Sequence, residues 1–393
     1  MENKLFLSGL SKEKNWREAA ELLVADIQKG LEGANCDLVV FFVSESYKEL
    51  DPAVLSGVFR DKLSCRVILG CNSSGVIGSD SEIEMEPAIS ILAMRLPGVK
   101  LMPFYLAAEE VASLREGSEL INSIDIYPTD RPHFMCLADP MSCDVTRFLS
   151  AFNEGYKGLP VMGGLASGAG VGAPNWLCLN RNIYSEGIVG LAMAGNIEFD
   201  IIVSQGCRPI GQSFVITKAE GNVLYELAGR PALLAVRELL GGLPAKDRAL
   251  AEQSLFVGLV MNERQTAFKR GDFLIRNLMG FDPETGALRI GAMLKVGQTL
   301  QFQLRDAETS SEDLKLLLEK SNNTANGSPR GGILVSCCGR GRNLFNEPDH
   351  DVRLIQALKG PLPLTGFFAN GEIGPVGNKN FVHGYTSSLV ILR

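Results

Sequence analysis

Three features of the sequence predict an α/β (mixed α+β) fold built from repeated units. Short apolar runs alternate with amphipathic stretches, the pattern of strands covered by helices. A glycine-rich loop follows the second apolar run of each unit, and another strand, not a helix, follows that loop. This order of strand, helix, strand, glycine loop and strand occurs three times, at about 30 residues from first strand to loop glycine. The units are expected to form mixed sheets covered by helices. They are also expected to sit about a pseudo-threefold axis, with the loops of Gly75, Gly168 and Gly371 converging.

An amphipathic helix opens the chain. Asn15 is its N-cap and Glu18 takes the reciprocal capping position. Trp16, Ala20, Leu23, Val24, Ile27 and Leu31 form one stripe, and Gly30 is read as the stop. In the first unit Asp37–Phe42 is a strand, Asp51-Pro52 opens a helix, and Val67–Gly70 is the second strand. The loop 71–78 and the strand Ala88–Leu92 follow. A loosely helical connector, Leu106–Asp130, leads to the second unit. There Phe134–Ala138, a helix striped by Val145, Phe148, Leu149 and Phe152, Pro160–Gly164, the loop 165–170 and Ile188–Ala192 repeat the order.

From about Ile197 the texture changes. Phe199–Ser204 alternates weakly, Cys207–Gly211 reads as a turn, and Phe214–Thr217 pairs with Val223–Glu226 across a hairpin. A helix from Pro231 to Leu240 and strands at Leu255–Met261, Phe273–Asn277, Ala287–Ile290 and Leu300–Leu304 follow. Glu312–Lys320 is helical, and Ser321–Arg330 is the one segment whose composition reads as a mobile linker. The third unit runs from Ile333–Cys338 through a helix opened by Pro348-Asp349 to Leu364–Gly366, the glycine loop and Ser388–Ile391. Ser44, Asp139 and Gly339 are taken as matching strand ends.

With 393 residues, 46% of them hydrophobic and a net charge of −7, the chain has ample core and no field that draws nucleic acid or anionic lipid. No apolar run approaches the roughly 18–20 residues that cross a bilayer. The first residues lack the basic and apolar regions of a signal peptide, so a cytoplasmic location is expected. None of the nine cysteines forms a Cys-x-x-Cys pair and none of the three histidines has finger spacing. A reduced protein with no metal and no cofactor is expected.

The third loop gathers the polar groups. Asn370 and Glu372 flank Gly371, with Gly374 beyond, and project to one side if the backbone is extended. Amide and carboxylate together suit an ammonium-bearing ligand, whose own carboxylate would take Arg208, Arg340 or backbone N–H groups. Cys337 or Cys338 stands at a strand end beside Arg340 and Arg342, where guanidinium groups would lower a thiol pKa. His383 and Tyr385 share a side if that segment is extended, and Asn72, Ser73 and Ser167 from the first two loops complete the candidate ligand-binding set. The loops lead to strands and no Gly-Lys-Ser/Thr follows, so phosphate cradling is disfavoured.

Four segments carry a resemblance: residues 69–78, 163–168, 205–211 and 366–375, joined by Phe256–Leu259 and Gly271–Arg276. They resemble the FIST family over nearly the whole chain, with a FIST N-type domain at 1–228 and a FIST C-type domain at 229–393. The resemblance implies an intracellular module that senses a small molecule, with amino acids or their derivatives as ligands. It implies signal transduction through a separate output protein, and it carries over no catalytic residues. The alternatives are a protein-interaction platform and a Cys-dependent hydrolase using Cys337 or Cys338, His383 and Glu372.

Overall fold

The computed structural model describes residues 4–170, 174–265, 267–324 and 327–393. It divides into two compact units, one of Met1–Val203 with Lys315–Arg393 and one of Ser204–Leu314. In the first repeat the elements are β1 (Leu5–Ser11), α1 (Trp16–Leu31), β2 (Leu38–Ser44), α2 (Pro52–Lys62), β3 (Val67–Ser73), β4 (Gly75–Ile77), β5 (Glu82–Glu84) and β6 (Ile89–Arg95). The second has β7 (Val99–Leu106), α3 (Ala108–Ser113), α4 (Gly117–Ile124), β8 (His133–Ala138), α5 (Val145–Gly155), β9 (Val161–Leu165), β10 (Leu177–Leu179), β11 (Asn182–Tyr184) and β12 (Ile188–Gly195).

The helix starts follow from side-chain caps. Asn15 accepts from the Arg17 N–H, and Asp51 accepts from Ala53 and Val54 with Pro52 in the first turn. Gly30 does not stop α1. The helix continues to Leu31 and ends at Glu32 in the left-handed region (φ 49°). The connector before the second repeat resolves into β7, α3, α4 and a short 3-10 turn, Pro128–Asp130.

β13 (Phe199–Ser204) precedes the smaller unit, which comprises β14 (Cys207–Glu220), β15 (Val223–Leu227), β16 (Arg230–Pro231), α6 (Ala232–Gly242), α7 (Ala245–Ser254), β17 (Leu255–Val260), β18 (Phe273–Phe281), β19 (Leu288–Ile290) and β20 (Thr299–Arg305). Cys207–Gly211 is therefore strand, not turn, because its backbone pairs with Leu304 and its neighbours on β20. The sheet order is β14-β20-β17-β18-β19-β15-β16, and β14 also pairs with β15. The β14–β15 pairing closes six of the strands on themselves and leaves the two-residue β16 outside, so little edge remains to invite strand addition.

α8 (Ala307–Thr324) takes in the first residues of the expected linker, Ser321–Thr324; positions 325–326 lie outside the described residues. The third repeat then supplies β21 (Gly331–Cys337), α9 (Arg342–Phe345), α10 (His350–Lys359), β22 (Leu364–Ala369), β23 (Glu372–Val376), β24 (Lys379–His383) and β25 (Ser387–Leu392).

Three six-stranded mixed sheets share one plan: β1-β6-β2-β3-β10-β11, β7-β12-β8-β9-β23-β24 and β13-β25-β21-β22-β4-β5. In each, two strands joined through a helix pair in parallel (β2 with β3, β8 with β9, β21 with β22), and the last strand of the repeat pairs antiparallel to the first of the two. The closing strands expected after each loop, now β6, β12 and β25, pair antiparallel in their own sheet, while an additional hairpin just after each loop pairs in a neighbour's. The β4-β5 hairpin of repeat one joins repeat three, β10-β11 of repeat two joins repeat one, and β23-β24 of repeat three joins repeat two. The exchange is cyclic, and the pseudo-threefold expectation takes this form.

A glycine sits at the same point of each second strand, five residues ahead of the loop glycine: Gly70, Gly163 and Gly366. Their register partners are Phe41, Cys136 and Leu334, and a Cβ on any of the three would run into that partner's carbonyl oxygen. This register corrects one strand-end match, since Ser44 and Asp139 correspond to Cys337, not Gly339. One core cluster draws on all three repeats, including Phe42, Leu137, Val335 and Phe367. Phe42 and Phe367 stack there with centroids 4.5 Å apart, an arrangement worth about 0.5–1.5 kcal/mol beyond area burial. β2 and β22 are buried along their whole length, which explains their unbroken apolar sequence.

Candidate ligand site

Three mouths result from this plan, each where the two parallel strands of a repeat end beside a hairpin lent by another repeat. The glycine loops do converge. The Ser74 N–H donates to Ser167 Oγ (2.9 Å), Ser167 Oγ donates to the Phe368 carbonyl, and Ser74 Oγ lies 3.2 Å from Cys338 Sγ. Leu165 N donates to Gly371 O (2.9 Å) and Asn370 N to Leu165 O (3.0 Å), locking the second loop to the third.

The third mouth is filled. Arg340, fully buried, donates from Nε and Nη2 to both oxygens of Asp351 at 2.9 Å, and its guanidinium lies over Phe345 at 5.3 Å. The fork expected to receive a ligand carboxylate is thus occupied from within the fold. Burial would raise the Asp351 carboxyl, but the Arg340 charge and the hydrogen bonds from His350 and Arg340 hold it well below the ordinary range. Glu82, brought in by the lent hairpin, accepts from the Val352 N–H at 2.9 Å. Burial and the nearby Asp351 charge push it up to about 8.

Asn370 and Glu372 do not share a side. Gly371 at φ 139° turns the chain between them, leaving Asn370 exposed and Glu372 completely buried. Glu372 Oε2 accepts from the Thr386 N–H (3.0 Å). Oε1 has no partner of hydrogen-bonding geometry, although the Cys337 thiol is near enough to favour the charged form. Burial dominates and pushes Glu372 up to about 8. The expected lowering of the thiol pKa is reversed for the same reason: burial, then the Glu372 charge, push Cys337 up to about 12, and burial raises Cys338. His383 Nε2 meets the Gly374 carbonyl at 3.0 Å, and the Tyr385 ring packs where a Gly339 side chain would stand. Ser73 is buried with its hydroxyl donated to Gly75 O (2.8 Å). Arg208 belongs to the other compact unit, where it pairs with Asp247 (2.6 Å) and Asp306 (3.6 Å).

The first mouth is hollow. A pocket of about 840 Å³ lies among Ser44, Glu45, Lys48, Asn72, Asn175 and Trp176, with Gly168 at its edge. Asn72 builds its wall, since Oδ1 accepts from the Trp176 N–H (2.9 Å) and Nδ2 donates to Pro174 O (3.3 Å). A Cβ on Gly168 would lie 2.6 Å from the Asn72 amide, so glycine lets the two loops meet. Partial burial raises the Glu45 carboxyl. Of the candidate ligand-binding residues named from sequence, Asn72 alone lines this pocket. Glu45, Lys48 and Trp176 were missed, and the long 166–176 connection was the signal that marks them. A second pocket, of about 700 Å³, lies beside α10 among Val352, Gln356, Pro361 and Leu362. Among the described residues no helix is long and apolar enough to cross a membrane, and no group of three His, Cys, Asp or Glu could hold a metal ion.

Cyclic exchange of hairpins, with a closed β-sheet inserted ahead of the third repeat, defines a repeat-built mixed α/β class. The chain belongs to the FIST family: residues 37–230 match the FIST N domain and 232–375 the FIST C domain. FIST domains are sensory signal-transduction domains. An uncharacterized protein of Mycobacterium tuberculosis is 36% identical over 384 residues, covering 98% of each chain. Another from Mycobacterium bovis is 35% identical over 378 residues, covering 95% of each. Among solved structures, a chorismatase crystal structure aligns over 100% of this chain and 99% of its own at 9% identity. Its TM-score of 0.33 is too low to carry an argument.

Proposed function

We propose that this protein is a cytoplasmic sensor of an amino-acid-like metabolite, acting without catalysis and signalling through a separate protein. The observation that carries this reading is the first-mouth pocket, which sets a carboxylate, an ammonium group and an indole around one hollow of about 840 Å³. That volume lies within the roughly 300–1,000 Å³ typical of small-molecule sites. Glu45 with the half-buried Trp176 would take a ligand ammonium, by charge and by the face of the ring. Lys48 would take the ligand carboxylate. Asn72 holds the wall in place, so a ligand ordering that wall favours the folded, closed arrangement. The division into an N-type domain at 1–228 and a C-type domain at 229–393 belongs to the same proposal. The meeting of the two family matches supports it, although the boundary falls within the sheet of the smaller unit.

The test is a thermal-shift screen of the purified protein against free amino acids and their derivatives, with Glu45→Gln and Lys48→Met alongside. Stabilisation by one zwitterionic ligand, lost in either variant, supports the proposal. Absence of any shift at millimolar ligand overturns it.

A further inference from the structure

We infer that Cys36 and Cys65 form a redox-active pair that closes to a disulfide. Each lies at the head of a strand, and β2 and β3 pair in parallel with Leu38 opposite Val67. Two residues earlier on both strands, that register sets Cys36 opposite Cys65. Backbone bonds still tie the two segments just upstream of the strands, since Val67 N donates to Asp37 O (3.0 Å) and Arg66 N to Cys36 O (3.3 Å). Adjacent strands stand about 4.8 Å apart, within the about 4.4–6.8 Å between Cα atoms that a disulfide spans. Residues in register on neighbouring strands point to the same face, and both side chains belong to the core cluster beneath α1 and α2. The two thiols are near enough for each to shift the other's proton affinity.

The pair is asymmetric. Cys65 Sγ donates to Val67 O at 3.0 Å, whereas Cys36 Sγ makes only longer contacts, 3.6 Å to Leu38 O and 3.8 Å to Met94 O. The neighbouring Cys65 thiol lowers Cys36, and the neighbouring Cys36 together with burial raises Cys65. Cys36 is therefore the attacking sulfur. Both are buried, but Asn35 and Ser64 beside them are exposed and lie outside the regular elements, so a local opening of these two turns admits a reagent.

With a low-molecular-weight disulfide as oxidant, the Cys36 thiolate attacks one of its sulfurs and expels the first thiol. The Cys65 thiolate then attacks Cys36 in the mixed disulfide and expels the second. Two protons and two electrons leave the protein, one S–S bond forms, and the oxidant is reduced to two thiols. Nothing in this step depends on the pocket or its ligand.

The experiment treats the full-length folded protein with glutathione disulfide and reads intact mass and the peptide map. The expected result is a loss of two hydrogens, a peptide linking Cys36 to Cys65, and no retained glutathione. Cys65→Ser should trap one glutathionyl group on Cys36, while Cys36→Ser should leave Cys65 unmodified. If wild-type protein keeps both thiols free, or if its bridge maps to Cys337–Cys338, the inference fails. The wild-type map decides the matter even where a serine variant does not fold.

Discussion

The first and third mouths are made from the same parts, two parallel strand ends and a lent hairpin, yet one holds a cavity and the other an ion pair. The difference begins with loop length. The connection from β9 to β10 takes residues 166–176, whereas Ser74 alone joins β3 to β4 and two residues join β22 to β23. The long connection places Pro174–Trp176 as a wall standing off the strand ends of repeat one. The short connection pulls Glu82 directly against α10, where Arg340 and Asp351 fill the space. Repetition of a scaffold therefore fixes where a site can form, while the length of one loop decides whether it stays open.

The largest effect should come from breaking the plug. Arg340→Leu leaves Asp351 and Glu82 buried without their cation and should cost about 3–5 kcal/mol in urea unfolding. A loss below 1 kcal/mol would mean that the third mouth opens to water. Next is the buried carboxyl just after the third glycine loop. Glu372 titrates at about 8 when folded against the ordinary value of 4.5. Below 4.5 both states hold the proton, and between 4.5 and about 8 only the folded state does. Stability from this group therefore falls as pH rises through that window and is fully lost above it. Glu372→Gln should flatten that part of the melting-temperature profile and raise the melting temperature at pH 9, with Glu82 leaving a residual slope of the same sign.

Gly371→Ala should cost about 1–3 kcal/mol. The cause is its φ of 139° and a Leu165 methyl 2.4 Å from the position of the new Cβ. The smallest effect is read in binding. Trp176→Ala should weaken the amino acid that gives the largest thermal shift by about tenfold, close to the value of a desolvated cation–π contact. Because the indole also packs against Phe41 and the core beneath α1 and α2, affinity is compared at equal folded fraction of variant and wild type. Unchanged affinity in a calorimetric titration would move the ligand out of the first mouth.

Much of the architecture was legible because strand identity depends on local apolar pattern. The three strand–helix–strand–loop–strand units, the α1 cap and the strands of the smaller unit were readable in that way. The partner of each post-loop strand was not, because a short run such as Gly75–Ile77 carries no mark of whose sheet it joins. Cys207–Gly211 read as a turn from Pro209 and Gly211, and its pairing with β20 overrode that local preference. The site was harder still. Arg340 looked available because its partner Asp351 lies on a helix eleven residues away, and the shared side of Asn370 and Glu372 depended on an extended backbone that the φ of Gly371 does not supply. Glu45 and Lys48 were passed over because charged residues after a strand are common, and only the standing wall of Trp176 gives them a cavity to face.

The lending of hairpins around the ring has a further consequence. No single repeat is a self-sufficient piece, because each sheet is finished by strands that another part of the chain contributes. Cutting after residue 195 would strip two outer strands from the sheet of repeat two and leave the β4-β5 hairpin with nothing to dock on. A fragment of that kind should not survive as an independent body, and a push on one hairpin is delivered to a sheet built mainly from another stretch of sequence.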